Sequence, residues 1–347
     1  MSRTRTTAWS VAGVAAAAAA GAGVRAGIRG RRRRQSVDVP LDGTALGTLH
    51  SRARTVVASD GVPLHVEVDE ADSEITLVFI HGYCLNLDCW HFQRAAYRGL
   101  VRSVFYDQRS HGRSGRSSAT GTTIDQLGRD LLDVLHAVVP EGPIVLVGHS
   151  MGGMTIIALA EQHPELFGDR IVGVGLVSTT AGGLDPAKLL LPMVPMRLSR
   201  PLSNSAVKTL AVGHKAVDGA RRLGRNLAVA MTDLFAFGDE VPAEFVAFVD
   251  EMLSATSFSV IADFFPTFRT LDKFDALGPL AKVPTTIICG TGDRLTSVGH
   301  SRKLESRIPR SVLIECPGAG HMVIMERHGQ VNAALDQLIA SASRSRA

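Results

Sequence analysis

Cysteine, tyrosine and tryptophan are scarce in this sequence of 347 residues, which has four Cys, three Tyr and two Trp. The cysteines show neither C-x-x-C spacing nor the density of a disulfide-stapled domain, so we expect free, buried thiols. The sequence also lacks an H-E-x-x-H pair, a P-loop lysine motif and a G-x-G-x-x-G fingerprint. These absences remove the usual support for a metal, a nucleoside triphosphate or a dinucleotide, and we predict no cofactor. The cysteines are Cys84, Cys89, Cys289 and Cys316.

Acidic residues are absent from the first 34 positions, which carry eight arginines. The chain has 37 basic residues in all, so 29 remain in the rest of the sequence, against 33 acidic ones. The net charge of +4 is therefore a property of the N-terminal segment. Because the remainder is slightly acidic, we predict that the folded part does not bind nucleic acid.

The N-terminal segment also contains an uncharged stretch at residues 8–24, made mostly of Ala and Gly. A cleaved signal peptide has its basic residues before the apolar region, whereas here the heavier arginine cluster follows at 31–34. Residues 1–34 therefore favour a short membrane anchor, followed by a linker over 35–53, with the next domain on the cytoplasmic side. About 17 weakly apolar residues is the lower limit for a span. A flexible basic tail is the alternative.

An apolar content of 45% and a charged content of 20% indicate a globular core. From residue 54 onward, strand and helix patterns alternate, which predicts an α/β fold with a mainly parallel eight-stranded sheet covered by helices on both faces. The predicted strands are 55–58, 64–68, 75–80, 103–106, 143–147, 171–177, 283–289 and 312–315, with helices at 124–139 and 151–162.

The alternation breaks once. Residues 180–272 have helix-like patterns and no clear strand, which predicts a helical lid inserted into the core. The two halves of the core are then 54–179 and 273–347. In open parallel sheets, chemistry collects at the carboxyl ends of the strands, so candidate residues are sought there.

One such strand end contains the sequence LVGHSMGGMTIIALA at 146–160. The spacing Gly148-x-Ser150-x-Gly152 is typical of a serine on a sharp strand-to-helix turn, where the hydroxyl is pushed out of the backbone. The flanking glycines are explained if a β-carbon would clash where strand and helix nearly touch. The alternative is a glycine-rich turn with no chemistry.

A serine hydroxyl is a poor nucleophile unless a base removes its proton, and that base needs an acid to orient it. Ser150, Asp293 and His321 occur in the order nucleophile, acid, base, and each lies in a loop after a predicted strand. Taken alone, Asp293 would be assigned to a turn and His321 to a loop. Together they predict a catalytic triad.

With these motifs in place, the chain resembles the α/β-hydrolase fold superfamily, specifically its lidded serine esterases and cofactor-free haloperoxidase-like hydrolases. The resemblance extends from about residue 54 to the C-terminus, and the combination of motifs is more specific than any one of them. The motifs are HGY at 81–83, DQRSHGRS at 107–114, GHSMGG at 148–153, GTGD at 290–293 and GAGHM at 318–322.

The resemblance implies an oxyanion hole formed by the backbone N–H groups of Tyr83 and Met151. Met151 follows the nucleophile at a helix N-terminus, where unpaired N–H groups favour an anion. The sequence departs from the family pattern at Ser110, where glycine is common, and at Ser297, where proline often follows the acid. The resemblance assigns structural roles to His81, Arg109, His111 and His149.

The nucleophile and the predicted lid limit the classes of substrate that fit the sequence. A serine at position 150 argues against the family's epoxide hydrolases and haloalkane dehalogenases, which use aspartate there. Eight of the 13 phenylalanines lie in 235–268, which suggests an apolar wall over the site, although these rings would also bury the lid against the core. A basic helical stretch at 208–231 fits a solvated helix face better than a lipid surface. The lid candidates are Phe264, Phe265 and Phe268.

We therefore predict a serine hydrolase of carboxylic esters that carry an apolar, lipid-like group, acting through an acyl-enzyme. The predicted partner is a small apolar ester, with membrane association through the N-terminal segment. Two alternatives stay open. One is a haloperoxidase-like or carbon–carbon bond hydrolase with the same triad. The other is a catalytically silent, membrane-tethered binding protein of the same fold.

Overall fold

The computed structural model describes residues 44–184 and 236–345. In this part of the chain, eight strands form one sheet in the order β1-β2-β4-β3-β5-β6-β7-β8. The pairs β1–β2 and β2–β4 are antiparallel and all the others are parallel, which confirms the predicted sheet. The strands are β1 Ala53–Val57, β2 Pro63–Asp69, β3 Thr76–Ile80, β4 Ser103–Tyr106, β5 Ile144–His149, β6 Ile171–Val177, β7 Thr285–Gly290 and β8 Val312–Cys316.

The central strands β3, β5 and β6 are buried along their whole length. Their sequences TLVFI, IVLVGH and IVGVGLV are nearly continuous apolar runs. Such runs are typical of parallel strands covered on both faces. The edge strand β1 is instead mostly exposed, as its antiparallel position at the end of the sheet allows.

Helices cover both faces of the sheet, as predicted. Buried side chains of α2 and α3 belong to one hydrophobic cluster with the sheet, and those of α1 and α8 to another. The α-helices are α1 His91–Tyr97, α2 Ile124–Val138, α3 Met151–Gln162, α4 Ala243–Ala255, α5 Phe258–Thr270, α6 Val298–Arg307, α7 Val323–Glu326 and α8 His328–Arg344. Short 3₁₀ helices span Leu87–Trp90, Ala119–Gly121, Pro164–Leu166 and Phe274–Lys282.

The chain leaves the sheet after β6 and returns before β7. An antiparallel bridge pairs Gly182 with Asp272, and the Lys273 amide donates to the Ala181 carbonyl over 2.8 Å. The described part of the intervening segment contains α4 and α5. That this segment acts as a lid stays a prediction, and residues 8–24 and 208–231 lie outside the described residues.

Within residues 44–184 and 236–345, none of the helices alone has the length and apolar character needed to cross a membrane. The segments Ala243–Ala255 and Ser259–Thr270, bent at 95°, meet those criteria only as a pair. The four cysteines are buried free thiols, which confirms the prediction made from their spacing.

Candidate active site

Ser150 lies on the turn between β5 and α3, with φ 52° and ψ −116°. A residue with a β-carbon rarely has positive φ, so this backbone is strained. The adjacent glycines permit the turn, because a β-carbon on Gly152 would lie 2.1 Å from the Ile80 carbonyl oxygen, and one on Gly148 would lie 2.5 Å from the Gly152 carbonyl carbon. The predicted clash between strand and helix is therefore the physical reason for both glycines.

His321 and Asp293 meet at the same edge of the sheet. Asp293 follows β7, His321 follows β8, and the imidazole Nδ1 lies 2.9 Å from the Asp293 Oδ2. Both side chains are almost fully buried. Because an ionised carboxylate only accepts hydrogen bonds, Nδ1 carries the proton and donates a hydrogen bond to Asp293. The other ring nitrogen, Nε2, is then free to accept a proton.

Further donors stabilise the Asp293 carboxylate. The backbone amides of Leu295 and Thr296 donate to Oδ1 over 2.8 and 3.0 Å. The Thr296 hydroxyl lies 2.8 Å from Oδ2 and 2.7 Å from the Ser178 carbonyl, and its one proton can serve either acceptor. Burial alone would raise the pKa of Asp293, but His321 and these hydrogen bonds lower it below its ordinary value. The acid is thus held ionised beside the imidazole.

Sequence reasoning missed Thr296. Its position three residues after Asp293 is the local signal that could have found it, because an aspartate commonly binds the backbone two and three residues further on. Thr296 also contributes to the wall of the cavity that contains Ser150.

Ser150 and His321 open into one cavity of about 350 Å³. Tyr83, Phe265 and Phe268 also line it, whereas Asp293 lies behind the imidazole and is not part of the wall. In the part of the chain that the structure describes, none of the lining residues is Asp, Glu, Lys or Arg. The remaining lining residues are Gly82, Cys84, Leu85, His149, Met154, Leu184, Ala236, Val249, Leu253, Ile261, Leu295, Thr296 and Met322.

The prediction for Phe264 is corrected by the structure. Its side chain is fully buried and is not among those that line the cavity. The ring lies 5.4 Å from that of His111 and 6.1 Å from that of Tyr83, measured between centroids. Phe264 therefore anchors α5 to the loops beneath it, while Phe265 and Phe268 face the cavity.

The residues before Tyr83 and the start of α3 at Met151 both lie close to Ser150. A β-carbon on Gly82 would be 3.2 Å from the Ser150 Cβ, so the loop leading to Tyr83 passes directly beside the serine. Met151 is the first residue of α3, and its N–H has no acceptor four residues earlier within the helix. The role of the Tyr83 and Met151 backbone N–H groups as an oxyanion hole is part of the proposal below.

Arg109 supports the loop after β4 from within the protein. Its buried guanidinium forms a bidentate pair with Asp130, with both N–O distances 2.5 Å, and a second pair with Asp60 at 2.8 and 3.0 Å. His81 lies in the same region, accepts from the Gln108 amide through Nε2 over 2.9 Å, and so donates from Nδ1 to the Gly82 carbonyl. These contacts fit the structural roles implied by the resemblance.

His149 contacts His321 directly. Its Nε2 lies 2.9 Å from the His321 carbonyl oxygen, which can only accept, so Nε2 carries the proton. Nδ1 has no hydrogen-bond partner in the described structure. Burial lowers the pKa of His149 to about 3, that of His111 to about 3 and that of His81 to about 4. The three imidazoles are therefore neutral at physiological pH.

The two departures from the family pattern have different consequences. Ser110 has φ 65°, a conformation that favours glycine, and its hydroxyl accepts a hydrogen bond from the Ser117 amide over 2.9 Å. Ser297 has φ −52° at the start of α6, where the backbone would also suit proline. Only Ser110 therefore requires a local compensating contact.

No group of three or more His, Cys, Asp or Glu side chains that could hold a metal ion occurs within residues 44–184 and 236–345. The site described above consists instead of a serine, an imidazole and a carboxylate in a largely apolar cavity.

A family model described as "Alpha/beta hydrolase family" matches residues 77–334, well over half of the chain. The chain therefore belongs to the alpha/beta hydrolase family. The chain spans less than two thirds of the first three curated relatives that it matches, namely 61%, 27% and 44% of their lengths.

Among these relatives is the dihydrolipoyllysine-residue acetyltransferase component of an acetoin cleaving system from Pseudomonas putida, at 24% identity over 74% of this chain and 61% of the relative. A 3-oxoadipate enol-lactonase from Acinetobacter baylyi is 24% identical over 72% of this chain and 82% of that protein. The solved structure of an esterase from Rhodococcus is similar, with a TM-score of 0.65 at 23% identity, covering 84% of this chain and 99% of that one. At this identity the structural likeness shows the fold alone.

Proposed function

We propose that this chain is a serine hydrolase of carboxylic esters that carry an apolar group. The single observation that carries the proposal is that Ser150, on a strained strand-to-helix turn, shares a cavity with His321, whose Nδ1 donates to the buried carboxylate of Asp293. This arrangement supports the assignment of Ser150 as nucleophile, His321 as base and Asp293 as the acid that orients the base.

The proposed reaction has two stages. His321 Nε2 takes the proton of Ser150 Oγ as that oxygen attacks the ester carbonyl. The backbone N–H groups of Tyr83 and Met151 stabilise the negative charge that develops on the carbonyl oxygen. His321 then gives the proton to the departing alkoxide, which leaves as an alcohol. Water, deprotonated by the same imidazole, attacks the acyl-enzyme, releases the acid and restores Ser150.

The substrate class is inferred from the cavity wall. Aliphatic and aromatic side chains of α4 and α5 face the serine, and the described lining contains no ionic side chain. An uncharged, apolar acyl or alkyl group would bury its surface there, whereas a charged group would be desolvated without a partner. The side chains concerned are Val249, Leu253, Ile261, Phe265 and Phe268.

The test is hydrolysis of p-nitrophenyl esters from acetate to dodecanoate by the purified full chain. We expect turnover that increases beyond acetate and is lost in Ser150→Ala. The matched control is Ser306→Ala, on the exposed side of α6, which should leave turnover at the wild-type level. A folded Ser150→Ala protein that hydrolyses these esters at the wild-type rate would overturn the proposal.

Cys84 is the rival nucleophile because it lines the same cavity. Burial raises the pKa of its thiol to about 12, so very little thiolate is present at neutral pH. Cys84→Ser should therefore keep most of the esterase activity. Loss of turnover in Cys84→Ser, with activity retained in Ser150→Ala, would assign the chemistry to the cysteine.

A further inference from the structure

Two separate parts of the chain converge on the buried carboxylate of Glu326, the last residue of α7. Its Oε1 accepts from the Gly320 amide over 2.7 Å. Its Oε2 accepts from the Gly238 amide over 3.0 Å and from the Asp239 amide over 3.4 Å. The Glu326 side chain has no exposed surface and does not line the cavity. Its hydrogen-bonding capacity is therefore directed at backbone, not at a substrate.

The two parts have different roles in the site. Gly320 immediately precedes the proposed base His321. Residues 236–239 lie where the described chain resumes, ahead of α4, and Ala236 lines the cavity. We call residues 236–239 the return segment. Glu326 thus joins the loop that carries His321 to the return segment, which leads into α4.

Further contacts join the return segment to the loop after β8. The Met322 amide donates to the Ala236 carbonyl over 2.8 Å. Arg327 Nη2 donates to the Asp239 Oδ2 over 2.6 Å and lies 3.2 Å from the Pro317 carbonyl oxygen. The return segment is therefore tied on both sides of His321, at Gly320 and at Met322.

The backbones of these two segments are also in direct contact. A β-carbon on Gly238 would lie 2.1 Å from the Gly318 carbonyl oxygen, and one on Gly320 would lie 2.4 Å from the Gly238 nitrogen. There is no room for a side chain between them. A displacement of the return segment by even an ångström must therefore move the loop that carries His321, since close-packed backbone transmits strain.

We propose that Glu326 is a positioning residue that holds the His321 loop against the return segment, so that the base is aligned only while this segment is in place. The inference rests on the proposed function, in which His321 is the base. A displacement of the His321 imidazole by about 1 Å would lower kcat substantially, because general-base catalysis depends on hydrogen-bond distance.

The test is Glu326→Gln, which keeps the shape of the side chain but replaces one acceptor oxygen by an NH₂ donor. Burial raises the pKa of Glu326 to about 7, so the assay is run near pH 8, where the wild-type group is a carboxylate. We expect kcat to fall by roughly tenfold or more, with KM within about twofold, because alignment and not substrate binding is lost. The control is Glu305→Gln on the exposed side of α6, which should leave both constants unchanged.

A second readout is independent of turnover. Backbone hydrogen exchange of the full-length protein should accelerate at 236–239 and at 318–322 in Glu326→Gln, while β3 and β5 keep their protection. Wild-type kcat in Glu326→Gln, with or without faster exchange, would overturn the inference. A fall in kcat with unchanged exchange in both segments would overturn it as well, because the proposed route would then be absent.

Asp239→Ala provides a variant that does not disturb the buried carboxylate. It removes only the partly exposed partner of Arg327, so the fold should persist. We expect kcat to fall about threefold with KM unchanged. An unchanged kcat would contradict the role of the return segment in aligning His321. The two failures can be told apart. If the proposed function is wrong, the Ser150→Ala protein is active. If only this inference is wrong, Ser150→Ala is inactive and Glu326→Gln behaves like the wild type.

Discussion

The two walls of the cavity differ in how they are built. The wall formed by the strand ends carries Ser150 and His321, each fixed by hydrogen bonds or by close backbone contacts. The opposite wall, formed by α4 and α5, presents aliphatic and aromatic side chains to the cavity. Hydrogen bonds to neighbouring loops hold α5 in place, among them those from the Tyr83 hydroxyl to the Ile261 carbonyl and from the Thr122 hydroxyl to the Asp263 carbonyl. In the proposed function, the strand ends therefore carry out the chemistry and the helices select among substrates.

The largest expected effect comes from the strand-end wall and from Asp293 behind it. His321→Ala removes the base and Asp293→Asn disturbs its tautomer, so kcat should fall by about 10³- to 10⁴-fold in each variant. Phe265→Ala in the helical wall should change kcat by less than about tenfold, because it contributes only packing. Steady-state kinetics on one short and one long ester make the comparison. Equal losses in the two walls would show that the division is wrong.

Acid should destabilise the protein through three buried histidines at or just after strand ends. Burial lowers the pKa values of His81, His111 and His149 to about 4, 3 and 3, below the ordinary histidine value of 6.5. The unfolded chain therefore binds more protons as the pH falls below about 6.5, and each histidine removes roughly 1.4 kcal/mol of stability per pH unit.

Glu326 has the opposite effect on the pH dependence of stability. Its pKa is raised to about 7, so its burial costs stability above that pH and the cost fades as the pH falls towards 4.5. Three histidines outweigh one carboxyl group, and the net loss between about pH 6.5 and 5 should amount to a few kcal/mol. Urea unfolding at the two pH values measures it. A free energy of unfolding that is constant or higher at pH 5 would contradict the neutral state assigned to these imidazoles.

The helical wall should control the length of the substrate. Leu253→Trp would fill part of the cavity from α4, so kcat/KM for octanoate and longer esters should fall by about tenfold, with acetate changed by less than about twofold. Glu251→Trp, on the exposed side of the same helix, is the matched control. A uniform loss across all chain lengths would place Leu253 outside the acyl-binding part of the cavity.

The smallest expected effect is at the contact between the two walls. The Tyr83 hydroxyl donates to the Ile261 carbonyl of α5 over 2.8 Å, and Tyr83 also supplies one of the proposed oxyanion N–H groups. Tyr83→Phe should lower kcat by up to about fivefold, since a net hydrogen bond contributes about 1 kcal/mol. Tyr97→Phe removes a hydroxyl that bonds α8 away from the site, and it should match the wild type. Identical kcat values for the two variants would mean that the walls are not coupled here.

Much of the strand-end wall was predictable from the sequence. The strands Ser103–Tyr106 and Ile171–Val177 have the predicted bounds, because apolar runs bounded by turn residues leave few alternatives. Ser150, Asp293 and His321 were predicted because each follows such a run. Local sequence was therefore sufficient to predict these strands and the residues that follow them.

The helical wall and its contacts were less predictable. Phe264 and Phe265 are neighbours, yet only Phe265 faces the cavity, because adjacent residues on a helix point about 100° apart and the packing partners decide which face is inward. Glu326 was missed because its partners Gly238 and Asp239 are 88 and 87 residues away along the chain. Such contacts are set by tertiary packing and leave no local pattern.

Ser150 is the proposed nucleophile, and covalent labelling is the sharpest test of this role. The purified full chain is treated with an alkyl fluorophosphonate, digested, and analysed by mass spectrometry to find the modified residue. We expect one adduct, on Ser150, that is absent from Ser150→Ala and forms far more slowly in His321→Ala. An adduct on another residue, or labelling that persists in folded Ser150→Ala, would contradict it.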